Sequence, residues 1–252
     1  MTAAAGTWTR EELLAVAASR LLEDGKVVFA GVGTPLVASV LARATHAPRL
    51  TIVVEGGAIG PEVKGGELPI STNEMAAARH AMMLTGITDT FLFAQRGFFD
   101  YGFLGLAQID PYGNINTSLL GPGERPKVRL PGSGGANDIA SLCREVFIVT
   151  VHEPRRFVER LDFLTSPGHV GPGDARREAG LLFGGPTRVV TDLAQMDFEP
   201  GSRRMRVQAM QPGVSLDLVR ERTGFELVAS QPGELAPPTE AELGALRALM
   251  RV

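Results

Sequence analysis

Glu55 is the residue whose surroundings look most like a reaction centre. It follows five mostly β-branched residues, Leu50-Thr51-Ile52-Val53-Val54, and runs into Gly56-Gly57. A run with no polar alternation predicts a strand buried on both faces, as in a parallel sheet covered by helices. Glu55 then stands at a strand's carboxyl end, the edge at which open α/β sheets bind ligands. The two glycines would let a substrate approach the backbone with no Cβ in the way. The segment reads equally as a solvated glutamate opening a glycine-rich loop, and alone it leaves both readings open.

A second glycine-rich stretch, Gly132-Ser133-Gly134-Gly135-Ala136-Asn137-Asp138, precedes the apolar Ile139 to Leu142. It can feed a helix amino terminus and present backbone N–H groups to an anion or a developing oxyanion. Asn137 or Asp138 as an ordinary helix cap fits the same residues. Gly31-Val32-Gly33-Thr34-Pro35-Leu36 matches only part of a dinucleotide fingerprint, because Leu36 takes the third glycine's place, and no G-x-x-x-x-G-K-[ST] is present. His152-Glu153 begins like a zinc-binding H-E-x-x-H, yet Arg156 stands where the second histidine belongs, so no metal is assigned. His46, His80 and His169 are scattered and suggest structural or surface roles. Lys127, Arg129, Arg155, Arg156 and Arg160 are candidates for phosphate contacts or form a solvated charged face. Asp110-Pro111-Tyr112-Gly113-Asn114 has the chemistry of a tight turn.

The elements that must position these residues follow from pattern. Thr9 and Glu12 form a capping box, and Leu13, Leu14, Ala17, Leu21 and Leu22 recur at helical spacing until Gly25. Val27 to Ala30 reads as a strand and Leu36 to Ala44 as a crossover helix, so the strands on either side should be parallel. Further strands are expected at Thr90 to Ala94, Phe103 to Ile109, Glu145 to Val151, Thr187 to Thr191 and Arg203 to Met210, with some antiparallel pairing in the second half. Thr239 and Glu242 cap a final helix through about Met250. Phe98, Phe99, Tyr101 and Phe103 place four of the 15 aromatic residues in one short segment, read as core or subunit interface ahead of substrate lining.

Composition sets bounds. The 252 residues are 44% hydrophobic and 21% charged, with net charge -3 and a pI near 5.9, which argues against nucleic acid as a partner. Val27 to Ala42 falls short of the ~20 apolar residues that span a bilayer, so no membrane partner is expected. MTAAAGTWTREE has neither the basic start nor the apolar core of a secretory signal. Cys143, the single cysteine, reads as a small buried hydrophobe, and a cytoplasmic setting is expected.

Taken together and in this order, VVEGGAIGP, LGLAQIDPYGNINTS, PGSGGANDIA and VTVHEPRRFVERLDFLTSPG resemble the β subunit of a class I coenzyme A transferase, nearest to the glutaconate type. The likeness runs from about Gly25 to the carboxyl terminus. It implies a single domain over residues 1–252 with an open α/β/α sandwich and a mostly parallel sheet, the CoA-transferase fold. It implies Glu55 as the nucleophile, forming an acyl-glutamyl anhydride and then a glutamyl-CoA thioester. Gly134, Gly135, Ala136 and Asn137 would stabilise the oxyanion, and Gly31, Gly33, Gly56 and Gly57 would line the path of CoA. Coenzyme A enters as an acyl-CoA substrate, with no permanently bound cofactor. The expected partner is an α subunit, in an αβ, α2β2 or larger assembly, without which the chain should be inactive.

Many relatives carry Ser-Glu-Asn-Gly around the nucleophile where this chain has Val54-Glu55-Gly56-Gly57, which leaves the acid substrates undefined. Other members of the fold decarboxylate acyl-CoA or hydrolyse C–C bonds. There Glu55 would be a base or a substrate-positioning residue. A third reading makes the chain a structural partner to a catalytic subunit, against which the glutamate at the nucleophile position weighs.

Overall fold

The computed structural model describes residues 8–63, 65–66 and 68–250. They form two compact units, one built from residues 8–103, 142–144 and 238–250, the other from 104–141 and 145–237. Each is a layered α/β structure.

In the first unit the capping box forms as expected. Thr9 Oγ1 accepts the Glu12 N–H at 3.2 Å, and Glu12 Oε2 accepts the Thr9 N–H at 2.7 Å, opening α1 (Arg10–Ser19). The helix ends before Gly25, whose φ of +76° turns the chain into β1 (Val27–Phe29). Helix α2 (Thr34–Thr45) crosses over to β2 (Thr51–Val53), and β1 and β2 pair in parallel with Val28 opposite Ile52. The apolar run puts Val28, Phe29, Ile52 and Val53 at 1% exposure or less, the signature of a strand pair covered on both faces. Strands β3 (Ala58–Ile59) and β4 (Met83–Leu84) add antiparallel beyond β2.

The segment Thr90 to Ala94, expected as a strand, lies inside helix α3 (Ile87–Gln95). Its β-branched and aromatic residues favour a strand locally, but tertiary packing overrides that preference. Thr90 Oγ1 donates back to the Gly86 carbonyl at 3.1 Å, and Phe91 packs against Phe29 with ring centroids 5.7 Å apart. The chain then enters β5 (Tyr101–Leu104), parallel to β1. Phe99, Tyr101 and Phe103 are core residues, while Phe98 stays exposed.

In the second unit the expected strand Phe103 to Ile109 is broken, since Gly105-Leu106-Ala107 separates β5 from β6 (Gln108–Ile109). Strand β6 pairs with β7 (Ile115–Asn116) and β8 (Leu119–Leu120) with β9 (Val128–Arg129), both antiparallel. Helix α4 (Ala136–Leu142) precedes β10 (Glu145–Val149), which pairs in parallel with β11 (Pro186–Val190) after the short α5 (Ala175–Glu178). The antiparallel pairing expected of the second half is present in β11, β12 (Ala194–Phe198) and β13 (Met205–Met210). Helix α6 (Leu216–Glu221) and β14 (Gly233–Glu234) follow. Ile148, Val189, Val190, Met196 and Met205 are fully buried and form the centre of this unit's core.

The C-terminal helix, Glu240–Met250, belongs to the first unit and opens on the second capping box, in which Glu242 N–H donates to Thr239 Oγ1 at 3.2 Å. Glu242 also takes Arg20 Nε and Nη2 at 2.7 Å each. Burial pushes its carboxyl up, but the Arg20 guanidinium and the Thr239 donors outweigh that and hold it at about 2, against an ordinary 4.5. A carboxylate whose folded value is depressed contributes stability above its unfolded value and loses it as pH falls. Unfolding free energy measured against pH should therefore drop between about 4.5 and 2 more steeply in the wild type than in Glu242→Gln.

Candidate active site

Strand β2 ends at Val53 and the chain reverses at once. Val54 N–H donates to the Ala58 carbonyl and Gly57 N–H to the Val54 carbonyl, each at 3.0 Å, leaving Glu55 and Gly56 at the tip of a tight turn. Glu55 is partly buried, and its carboxylate has no hydrogen bond or ion pair among the described residues. That is unusual for a partly covered charge.

Sequence reasoning gives the missing Cβ atoms of Gly56 and Gly57 to a substrate, whereas the structure fills that room with protein. A Cβ on Gly56 would strike the Thr72 carbonyl oxygen and come within 2.8 Å of Asn73 Oδ1. One on Gly57, whose φ is +100°, would collide with the Thr85 carbonyl. Thr85 is fixed there, because its N–H donates to the Gly57 carbonyl at 2.9 Å.

Gly31-Val32-Gly33 flanks this turn, since Ala30 N–H donates to the Val53 carbonyl at 2.9 Å and brings the end of β1 alongside the end of β2. Gly33, at φ +80°, caps α2 without a side-chain hydrogen bond. A Cβ on Gly31 or Gly33 would meet nothing within 4 Å. Gly33 and Thr34 line a largely apolar cavity of about 460 Å³ with Leu36, Val37, Leu68 and Pro69.

The loop 132–137 belongs to the other unit. Gly132 and Gly134 take positive φ, +92° and +48°, and Ser133 organises the helix entry: its carbonyl accepts Ala136 N–H at 2.9 Å and its Oγ accepts Asn137 N–H at 3.2 Å. Of the four residues picked out here from sequence, Ala136 and Asn137 have thus spent their backbone donors inside the loop. Those of Gly134 and Gly135 have no acceptor among the described residues. Asn137 Nδ2 donates to the Thr165 carbonyl at 2.9 Å.

Several anchors of this loop escape sequence reasoning. Thr117 Oγ1 donates to the Gly132 carbonyl at 2.8 Å, and Thr165 Oγ1 accepts Thr117 N–H at 2.9 Å. Arg176, 6% exposed, donates to the carbonyls of Phe183, Gly168 and Ala140, the last in α4, at 2.6–2.7 Å. Burial pulls its guanidinium down to about 10, so it stays charged at neutral pH with only carbonyl dipoles as partners. The turn motif Asp110 to Asn114 is a hub of the same unit. Asp110 Oδ1 accepts the Tyr112 and Asn114 N–H groups at 2.9 and 3.0 Å, and Asn114 Oδ1 accepts those of Gly168 and Val170 at 2.7 and 3.1 Å.

His152 is buried, with Nδ1 at 3.1 Å from Thr191 Oγ1 and Nε2 at 3.0 Å from Thr223 Oγ1, and burial lowers its ring to about 4. Both ring nitrogens are therefore engaged. Burial pushes the Cys143 thiol up to about 12, as suits a small buried hydrophobe and not a nucleophile. Among the described residues no helix is long and apolar enough to cross a membrane.

Known proteins decide the family. Residues 11–222 match the coenzyme A transferase family. The chain belongs to that family. The resemblance read from its four motifs is thereby borne out. Among relatives, it is 43% identical to a subunit of the 3-oxoadipate CoA-transferase of Pseudomonas knackmussii, over 96% of this chain and 93% of the relative. It is 35% identical to the corresponding subunit of the glutaconate CoA-transferase of Acidaminococcus fermentans, over 95% of this chain and 91% of the relative. The crystal structure of that glutaconate enzyme superposes with a TM-score of 0.89, covering 96% of this chain and 95% of the other. The decarboxylase AibA/AibB superposes with a TM-score of 0.82 at 26% identity, over 96% and 95% of the two chains. The fold is accordingly the CoA-transferase α/β sandwich, and the chain is an enzyme subunit of transferase type.

Proposed function

We propose that this chain is the β subunit of a CoA-transferase that moves CoA from an acyl-CoA to a carboxylic acid through a glutamyl-CoA thioester on Glu55. The observation that carries this reading is the Glu55 carboxylate, partly covered at the carboxyl end of β2 with no cation or donor to occupy it among the described residues. A carboxylate is a weak nucleophile, and covalent intermediates divide one difficult exchange into easier steps where bulk water is kept out.

The steps balance. Glu55 attacks the thioester carbonyl, a C–O bond forms, the C–S bond breaks, and CoA thiolate leaves an acyl-glutamyl anhydride. The thiolate then attacks the glutamyl carbonyl, expels the donor carboxylate and leaves glutamyl-CoA. An acceptor carboxylate repeats both steps in reverse and regenerates Glu55. Each step passes through a tetrahedral oxyanion, which backbone N–H donors would stabilise. The acids are proposed to be dicarboxylates of the 3-oxoadipate and glutaconate class, after the names of the two relatives. An α subunit is proposed to complete the enzyme, in keeping with relatives that are themselves single subunits of such transferases.

The likeness to the decarboxylase AibA/AibB supports a second reading, in which Glu55 is a base or positions an acyl-CoA that loses CO₂. Assay of the chain with its α subunit on 3-oxoadipyl-CoA and glutaconyl-CoA, with and without an acceptor acid, separates the two. Transfer requires the acceptor and yields its CoA ester. Consumption without acceptor, with release of CO₂, would favour the second reading.

A further inference from the structure

The buried Arg176 carries a charge that no carboxylate among the described residues answers. Its guanidinium lies flat against Gly185, where a Cβ would come within 2.9 Å of Arg176 Cζ. A buried cation with carbonyl dipoles alone is costly unless an anion stands nearby. Arg176 forms part of the wall of an open cavity of about 240 Å³ in the second unit, which Arg177 and Arg203 also line. None of the five cations that sequence singles out for phosphate contact lines it.

Two unspent guanidinium groups face this space. Arg203 comes from the turn between β12 and β13, where its N–H donates to the Glu199 carbonyl at 2.8 Å. Its Nε makes a long bond of 3.4 Å to the Gly173 carbonyl, and its Nη groups have no partner among the described residues. Arg177, in α5, gives Nη2 to Asp174 Oδ2 at 2.7 Å and keeps Nε and Nη1 unspent. Asp174 is the one carboxylate on the wall, so three arginines leave two net positive charges. His169 adds none, because its Nε2 stands 2.9 Å from the Pro186 carbonyl, and burial, with Arg203 beside it, lowers the ring to about 4.

The backbone around the cavity is strained. Arg203 takes φ +59° and Val170, next to His169, takes φ +68°; among the described residues the only other non-glycine with positive φ is His80. For the β-branched Val170 this is a true outlier, and Gly171 N–H closes the tight turn on the His169 carbonyl at 2.8 Å. Such strain gathers at ligand clamps, where it presets side chains for binding. The free donors come from two separate segments, an arrangement that suits the tetrahedral oxygens of a phosphate group, and the two net charges match its dianion. Leu181 and Phe183 line the same space and would cover a few carbons. The volume lies below the ~300 Å³ at which pockets for drug-sized ligands begin.

We infer that this cavity binds a short phosphate monoester, with Arg203 and Arg177 in contact with the phosphate and Arg176 supplying charge from the wall. The site stands whatever reaction Glu55 carries.

The test is titration calorimetry of the chain purified with its α subunit, using glycerol 3-phosphate as probe and inorganic phosphate and succinate for comparison, with and without saturating CoA. Wild type should bind glycerol 3-phosphate more tightly than either comparison, and CoA should leave that binding unchanged. Arg203→Gly and Arg177→Ala should each weaken it about tenfold, as loss of one charge-assisted contact does. Glycine adopts positive φ freely, so Arg203→Gly should melt no lower than wild type. A lower melting temperature would mark Arg203 as structural and count against the site. Absence of binding by wild type, unaltered binding in both variants, or displacement of the probe by CoA would each overturn it. Succinate or inorganic phosphate binding as tightly as the probe would overturn the assignment to a phosphate ester.

Discussion

Glu55→Ala and Glu55→Gln are both expected to lose CoA transfer by at least about 10⁴-fold while folding and assembling as the wild type does. The magnitude follows from what a covalent nucleophile contributes, since its removal leaves only binding and oxyanion stabilisation. Preserved folding follows from the structure, because the carboxylate makes no hydrogen bond or ion pair among the described residues, and substitution away from such contacts changes stability by less than about 0.5 kcal/mol. Gln keeps the shape and hydrogen-bonding length of Glu, so a Gln variant that retained substantial exchange would show that Glu55 only positions substrate. Exchange rates on the complex with its α subunit, together with thermal melts, make the check.

Gly57→Ala is expected to cost about 3 kcal/mol or more of stability and to abolish reaction at Glu55 in whatever fraction still folds. Two costs add. A Cβ at φ +100° is strained by about 1–3 kcal/mol, and overpacking against fixed atoms adds about 1–3. The neighbour is the Thr85 backbone carbonyl, held by the Thr85 N–H bond to the Gly57 carbonyl, so it cannot swing aside as a side chain would. Relief would have to come from the turn, which would move Glu55. Gly31→Ala is the control, since its Cβ would meet nothing within 4 Å and the change should leave the denaturant midpoint within error. A Gly57→Ala variant with wild-type midpoint and labelling rate would refute the close packing of this turn.

Much of this was legible in the residues. The unbroken apolar run before Glu55 announces a strand buried on both faces, and both capping boxes form where Thr9, Glu12, Thr239 and Glu242 require. Other features could not be read. Strands β3, β4 and β6 to β9 are two residues long each, too short to carry a period, and exist because neighbouring chain pairs with them. Strand β12 does alternate, with Ala194, Met196 and Phe198 buried, and that pattern was there to be used. Thr90 to Ala94 misleads because local preference points to a strand while burial against Phe29 favours a helix face.

Sequence motif singles out Glu55 and the glycine loop as candidates, but it cannot tell spent donors from free ones. That the Ala136 and Asn137 N–H groups turn back on Ser133, leaving those of Gly134 and Gly135, is a fact of three-dimensional hydrogen bonding. Arg176 hides for a similar reason. Within Asp174-Ala175-Arg176-Arg177-Glu178 it looks like any solvated charge, and only the fold buries it among carbonyls.

The central claim is that Glu55 carries CoA, and intact-mass spectrometry tests it most directly. The chain is purified with its α subunit and incubated with 3-oxoadipyl-CoA or glutaconyl-CoA in the absence of acceptor acid. The account predicts a CoA-sized increase on this chain, mapped to Glu55 by peptide analysis and reversed by adding a carboxylic acid. Consumption of the acyl-CoA with no adduct on this chain would contradict it.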